Sequence, residues 1–234
     1  MVRILSYGAG VNSTALIALT LLKRIPPFDE IVFSDTGAEY PSTYQYMDYL
    51  ESRGIRITYL TGGVNYMTLL ERCQKHKVIP SMMNRWCTEK WKIRPISYYA
   101  KSLDPQCETI IGIDAGESHR VSHKYKRNKY PLVDMGIDRS GCRKVIKEAG
   151  LGLPMKSGCY ICPFQSKRNW IELKKSYPEL WTIAVELEKE CIIDKEKYTY
   201  RRGTTIEKFV GDLDLQQDLD FDFELQQSCW CTFQ

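Results

Sequence analysis

The sequence predicts an α/β fold, a Rossmann-like parallel sheet with helices on both faces, followed by a C-terminal helical cap. Short apolar runs alternate with segments of helical periodicity, and such alternation is typical of a parallel sheet. The predicted strands are residues 3–6, 30–34, 55–60 and 108–113, and the predicted helices are residues 13–23, 42–53, 66–75 and 93–102.

The pattern changes after Tyr130, where no further strand is clear. A short helix is predicted at residues 141–151, and a longer helical region at 167–190 is interrupted at Pro178. We therefore predict a nucleotide-binding α/β domain over residues 1–130, a helical cap over 131–224 and a tail over 225–234. The cap is expected to be held together by something other than a hydrophobic core.

The composition excludes some classes of protein. The chain has 234 residues and a net charge of +4, which is too small to require a nucleic-acid partner. Residues 119–129 carry five Lys or Arg and no acid; this run could contact phosphates or RNA, or form a solvated loop. No apolar run is long enough to span a membrane and no signal peptide is visible, so we expect a soluble, cytoplasmic protein without a membrane partner.

The loop after the first strand is the most informative segment. Its small residues let backbone N–H groups approach an anion, and the following helix points its positive end at the same place. A plain strand-turn-helix junction would also favour small residues. The candidate phosphate-binding and nucleotide-binding residues of this loop are Ser6, Gly8, Gly10, Asn12, Ser13 and Thr14.

Two further loops follow strand ends and are expected to converge on the same edge of the sheet. In the first, Asp35 could hold Mg²⁺, a ribose or the loop itself. In the second, Arg120 suits a phosphate or sulfate through paired hydrogen bonds and Glu117 could orient it, although a structural ion pair is the alternative. The candidate residues of these loops are Asp35, Thr36, Gly37, Gly112, Glu117 and Arg120.

Taken together, these segments resemble a known family. Residues 7–14 match a modified glycine loop, and residues 35–43 match an Asp-Thr-Gly segment. Residues 112–120 match a substrate-binding arginine loop. Cys87, Lys92 and Pro95 correspond to a cysteine-lysine-proline stretch. The chain is similar to the adenine nucleotide alpha-hydrolase superfamily, the ATP-pyrophosphatase loop enzymes, and within it to the phosphoadenosine phosphosulfate (PAPS) reductase-like family. The resemblance covers roughly residues 2–170.

The resemblance implies that ATP or an adenylyl nucleotide binds on the glycine loop, with the adenine near Asp35. Many relatives attack ATP at its α-phosphate and release pyrophosphate, whereas others reduce an adenylyl sulfate. Backbone N–H groups, Lys or Arg side chains and usually Mg²⁺ neutralise the developing charge. Lys92 and Arg120 are the candidate catalytic residues.

Three departures from the family pattern bear on the reaction. Ala9 replaces a common glycine, and Asn12 stands where many ATP-hydrolysing relatives carry Asp. Sulfonucleotide reductases also carry a Glu-Cys-Gly-x-x-His type sequence near the C-terminus, and this chain has none. These departures weaken the case for ATP cleavage and for a true reductase.

The cysteines predict a metal site in the cap. Cys159 and Cys162 are separated by two residues in a glycine-led turn, a spacing that suits one metal centre. Cys142 and Cys87 are the best candidates to complete four ligands. Zinc would use the same four thiolates, but family members often carry a [4Fe-4S] cluster, which we favour; scattered free thiols are the remaining alternative.

Cys229 and Cys231 lie in the C-terminal tail. We expect them to be free redox thiols, unless one displaces Cys142 as a ligand.

Three functional hypotheses follow. The leading one is an enzyme of sulfur metabolism that binds ATP or an adenylyl nucleotide and transfers sulfur to an activated acceptor, either a nucleic acid or a small molecule. The second is a sulfonucleotide reductase acting on PAPS or adenylyl sulfate. The third is a non-catalytic nucleotide-binding or nucleic-acid-binding module with structural zinc. A homodimer is left open in each case.

Overall fold

A computed structural model describes residues 1–61, 63, 66–83, 85–122, 125–193 and 196–211. Five parallel strands form one sheet in the order β3-β2-β1-β4-β5. This architecture confirms the predicted parallel α/β fold, and it adds a short fifth strand that the sequence did not indicate. The strands are β1 Arg3–Tyr7, β2 Glu30–Ser34, β3 Thr58–Leu60, β4 Glu108–Ile111 and β5 Asn128–Lys129.

Helices connect and flank these strands. None of the helices in the described part of the chain has the length and apolar character needed to cross a bilayer. The helices within residues 1–150 are α1 Val11–Leu21, α2 Pro41–Ser52, α3 Leu69–His76, α4 Trp86–Thr88, a π-helix Glu89–Ile93, α5 Arg94–Leu103, a 3₁₀ helix Ala115–Arg120, α6 Pro131–Asp134 and α7 Arg139–Glu148.

Alternating side chains of the strands build a core on each face of the sheet. Leu5 of β1 joins a core with α1, α2 and α7, whereas its neighbour Ile4 joins Ile96 and Ala100 of α5 on the opposite face. The strand order reverses direction at β1, because β2 lies on one side of it and β4 on the other. The carboxyl end of β1 is therefore the topological switch point, where open α/β sheets bind ligands.

The C-terminal helices pack into a second hydrophobic core, which also includes Leu69 and Trp91 of the first half of the chain, so the expectation that the cap lacks a core was wrong. Trp170, Leu173 and Ala184 are fully buried and pack with Tyr200 and Ile206. Apolar residues three or four positions apart on consecutive helices form this core, and burying them requires no metal. The elements are α8 Lys167–Ser176, α9 Pro178–Glu190, β6 Ile192–Ile193, β7 Glu196–Lys197 and α10 Ile206–Val210.

The cysteine turn is attached to the sheet domain by backbone hydrogen bonds. The N–H of Tyr160 donates to the carbonyl of Ala38 at 2.9 Å, and the N–H of Tyr40 donates to the carbonyl of Gly158 at 3.3 Å. The turn therefore extends the loop that follows β2 and lies at the same edge of the sheet as the glycine loop.

The second core predicts a large stability effect at Leu173. Leu173→Ala removes a fully buried side chain from α8 and should lower the free energy of unfolding by about 2–5 kcal/mol, measured by urea denaturation. The control Lys175→Ala alters an exposed side chain of the same helix and should change it by less than about 0.5 kcal/mol. Equal effects of the two substitutions would contradict this core.

Candidate functional site

A cleft opens at the carboxyl ends of β1, β2 and β4. Its empty volume is about 820 Å³, a figure that includes open solvent at the mouth. The residues that line it are Ser6, Tyr7, Gly8, Gly10, Val11, Asn12, Ser13, Phe33, Ser34, Lys92, Ile96, Gly112, Glu117, Arg139, Met155, Lys156 and Ser157.

The glycine loop forms the floor of this cleft. A Cβ added at Gly8 would meet no atom within 4 Å, so the loop leaves open space there. Ser13 fixes the loop, because its Oγ accepts a hydrogen bond from the N–H of Gly8 at 3.3 Å and donates to the carbonyl of Gly10 at 3.2 Å. Ala9 adopts a left-handed φ of 53°, the conformation that favours the glycine common at this position in the family.

Helix α1 points its amino end into the cleft. Gly10 is its N-cap residue, and no side chain caps the helix. The N–H groups of the first turn and the helix dipole make such an end a favourable place for an anion. Gly112 of the third loop lets the helix come this close, because a Cβ there would lie 2.8 Å from the backbone nitrogen of Ser13.

Lys92 reaches the cleft from the π-helix and is held by a buried carboxylate. Its Nζ lies 3.1 Å from Oε1 of Glu39, whose side chain is only 1% exposed. The hydroxyl of Thr36 donates to the same Oε1 at 3.0 Å, and the Cys159 Sγ lies 3.5 Å from it. This network joins the loop after β2, the π-helix and the cysteine turn.

A second cation, Arg139, lines the cleft at the start of α7. Its Nη1 donates to Oδ1 of Asn12 at 3.3 Å, and Nδ2 of Asn12 donates to the buried carboxylate of Asp114 at 2.9 Å. Asn12 therefore bridges a cation and an acid. Burial, and the charge of Arg143 nearby, lower the pKa of the Arg139 guanidinium.

Glu117 and Arg120 form an ion pair, a contact that is common to both sequence predictions for Arg120. Nη1 of Arg120 donates to Oε2 of Glu117 at 2.7 Å. Glu117 lines the cleft, whereas Arg120 is 3% exposed and is not among the lining residues. The geometry therefore gives Arg120 a position from which it orients Glu117.

The loop after β2 supports the cleft without lining it. Oδ1 of Asp35 accepts hydrogen bonds from the N–H of Gly37 and the hydroxyl of Tyr44, both at 2.8 Å. Gly37 adopts a φ of 69°, and a Cβ there would lie 2.6 Å from the side chain of Thr68. Thr14 likewise lies outside the lining, where its hydroxyl contacts that of Tyr7 at 3.2 Å.

The candidate metal ligands lie in two different cores. Cys159 lies in the second core and Cys87 and Cys162 pack against it, whereas Cys142 is fully buried on α7 in the core beside α1. Burial raises the pKa of the Cys142 thiol to about 12. Within the described residues no group of three or more His, Cys, Asp or Glu converges as a metal site, and Cys229 and Cys231 lie outside those residues.

The sequence predictions missed several residues that line the cleft or hold one of its side chains in place. Glu39, Arg139, Lys156 and Ser157 were not among the predicted site residues. Glu39 lies within the recognised Asp-Thr-Gly segment, so its position was a usable signal. The other three come from segments without a phosphate-binding pattern, and only the fold brings them to the glycine loop.

Comparisons with known proteins identify the family. The phosphoadenosine phosphosulfate reductase domain matches residues 3–127, which is more than half of the chain. The chain thus belongs to the PAPS reductase-like family of the adenine nucleotide alpha-hydrolase superfamily. This membership confirms the resemblance inferred from the four motifs.

Individual relatives are distant. Two uncharacterized proteins of Methanocaldococcus jannaschii are each 24% identical, over 82% and 75% of this chain. The chain spans about half the length of these relatives or less, 49% and 39%. A crystal structure of PAPS reductase from Candida auris, a phosphate complex, has a TM-score of 0.49 at 15% identity and covers 65% of this chain and 74% of that one.

The ion pair between Glu39 and Lys92 predicts a coupled stability effect. Lys92→Met leaves a buried carboxylate without its cation and should lower the free energy of unfolding by about 3 kcal/mol. Adding Glu39→Gln removes that charge and should restore at least half of the decrease, measured by urea denaturation of the single and double variants. Lys90→Met, on the same π-helix, is the control, and strictly additive effects of the two substitutions would contradict the coupling.

Proposed function

We propose that this chain binds ATP or an adenylyl nucleotide in the cleft and uses it in sulfur transfer to an activated acceptor. One observation carries the proposal: a helix amino end without a side-chain cap, a glycine loop and the cations Lys92 and Arg139 line one cleft at the switch point of the sheet. Family membership supports the adenine nucleotide as the ligand.

The phosphate nearest the reacting centre would lie against the first turn of α1. The N–H groups of this turn would bind its oxygens, and Gly112 keeps the helix close enough to the sheet to present them. Lys92 and Arg139 would neutralise the charge that develops as a phosphate bond breaks. Lys156 adds a third cation to the lining.

The hydrogen-bonded partners of these cations would fix their positions. Glu39 holds Lys92, and Asn12 holds Arg139. Arg120 acts in this proposal through Glu117 as a positioning residue. Thr36, Gly37 and Asp35 shape the loop that follows β2, on the side of the cleft where the resemblance implies the adenine.

In this proposal Mg²⁺ would enter the site only together with a bound nucleoside triphosphate. One oxygen of the candidate ligand Asp35 is already hydrogen-bonded to Gly37 and Tyr44. No step of the proposed chemistry depends on the ion.

Turnover distinguishes the three functional hypotheses. Formation of AMP and pyrophosphate from ATP that depends on an added sulfur donor and an acceptor would support the transferase. Consumption of adenylyl sulfate or PAPS with a reduced dithiol would support the reductase instead. Nucleotide binding without either reaction would support the third hypothesis, a non-catalytic binding module.

Gly8→Val tests the nucleotide site directly. The added side chain would occupy open space in the cleft and meet no protein atom at its Cβ, so the variant should fold normally but bind ATP and AMP at least about tenfold more weakly in calorimetric titrations. Gly152→Ala is the control, because its Cβ would make an ordinary 3.7 Å contact with Tyr49 outside the cleft. Unchanged affinity in Gly8→Val, at an unchanged melting temperature, would refute the site.

The four predicted cysteines do not fit a single [4Fe-4S] or zinc centre, because Cys142 lies in a different core from the other three. The proposed chemistry therefore has no step at a metal. Cys87, Cys159 and Cys162 share one core and remain the candidates for any metal that the protein holds.

Metal analysis of anaerobically purified protein tests this assignment. Iron, sulfide or zinc that copurifies should be retained in Cys142→Ala and should fall in Cys159→Ala and Cys162→Ala. Loss of the metal in Cys142→Ala would contradict the assignment, and absence of both iron and zinc from the parent protein would remove a metal from the proposed function.

A further inference from the structure

A groove runs along α5 on the face of the sheet opposite to α1 and α7. It consists of two hollows, one beside the π-helix and one beside the segment that precedes β5. Ile93, Ser97 and Tyr125 line both hollows, so the groove is continuous. Ile96 of the same helix lines both the groove and the nucleotide cleft, which places the groove next to the proposed site.

The lining of this groove is positively charged. It includes two acids, Glu89, which pairs with Arg94 at 2.7 Å, and Asp104, which accepts hydrogen bonds from the backbone N–H groups of Val2 and Gln106. The cations of the groove outnumber these acids and are Arg85, Arg94, Lys101, Lys126 and Arg127. A chain of phosphates would complement this charge.

Two aromatic side chains stand exposed in the same groove. Tyr98 on α5 is 66% exposed and Tyr125 is 40% exposed, and both line the hollow beside the π-helix. Exposed rings within a cationic groove are the arrangement on which unpaired bases stack. The bases of a duplex are already stacked on one another and would leave these rings unused, and an acidic protein surface would use only the cations.

We propose that this groove binds single-stranded nucleic acid, with the phosphates along the cations and bases against Tyr98 and Tyr125. The proposal uses part of the basic run 119–129 and adds α5, which the sequence did not link to it. It rests on the proposed function only in that a bound strand would be the sulfur acceptor. Binding itself requires neither the nucleotide nor turnover.

Fluorescence anisotropy with labelled DNA and RNA strands of about 20 nucleotides, at about 50 mM salt, tests the groove in the full chain. Tyr98→Ala and Tyr125→Ala should each weaken binding about fivefold or more, the effect of removing one stacked base. Lys126→Gln with Arg127→Gln should flatten the dependence of log affinity on log salt by about 0.7 for each phosphate that the variant no longer neutralises.

Matched controls keep the test specific. Tyr59→Ala removes another partly exposed tyrosine, on β3, and Lys144→Gln with Lys147→Gln removes two exposed charges from α7 on the opposite face of the sheet. Both controls should retain the parent affinity, and all variants should retain the parent melting temperature. ATP titration of each groove variant separates the two proposals, because weaker strand binding with intact ATP binding concerns the groove alone.

Three results would overturn the proposal. The first is that neither strand binds at the same low salt. The second is that affinity decreases equally in the groove variants and the control variants. The third is that duplex DNA or heparin binds as tightly as the single strand and that the tyrosine substitutions have no effect. The last result would indicate a general polyanion surface.

Discussion

The buried carboxylate of Glu39 is the interaction on which the cleft depends. It contacts Lys92 on the π-helix, Thr36 in the loop after β2 and Cys159 in the cysteine turn, so one side chain joins three segments that are distant in sequence. A carboxylate this deeply buried is tolerated only with such partners. Its position fixes where the ammonium group of Lys92 can stand in the cleft.

The backbone supplies the other half of the site. Gly112 allows β4 and the amino end of α1 to approach within a distance that a Cβ would forbid, and Gly8 leaves space beyond the end of β1. The site thus combines a rigid set of N–H groups with cations held by Glu39 and Asn12. Such fixed groups need little reorganisation when charge develops on a ligand.

Much of this arrangement was predictable from the sequence because it is local. The strand, glycine loop and helix of residues 3–21 follow one another directly, so the sequence predicted this junction, which is the candidate phosphate site. Arg139 and Lys156 were not predictable in this way, since only the packing of α7 and of the segment before the cysteine turn brings them to the cleft. Arg120 shows a different limit, because its pairing with Glu117 fits both predicted roles, whereas the sequence did not show that the fold buries Arg120 outside the lining of the cleft.

The cysteines show that spacing in the sequence predicts a local turn but not which residues the fold brings together. The spacing of Cys159 and Cys162 correctly indicated a turn, and the hydrogen bonds of Gly158 and Tyr160 attach that turn to the loop after β2. The fourth predicted ligand, Cys142, had no such local pattern, and its helix packs against α1.

An amide NMR titration with AMP and with adenosine tests most directly whether a phosphate binds at the amino end of α1. We expect AMP, and not adenosine, to shift the N–H resonances of Gly8, Gly10 and the first turn of α1; unchanged resonances there at saturating AMP would contradict the phosphate site.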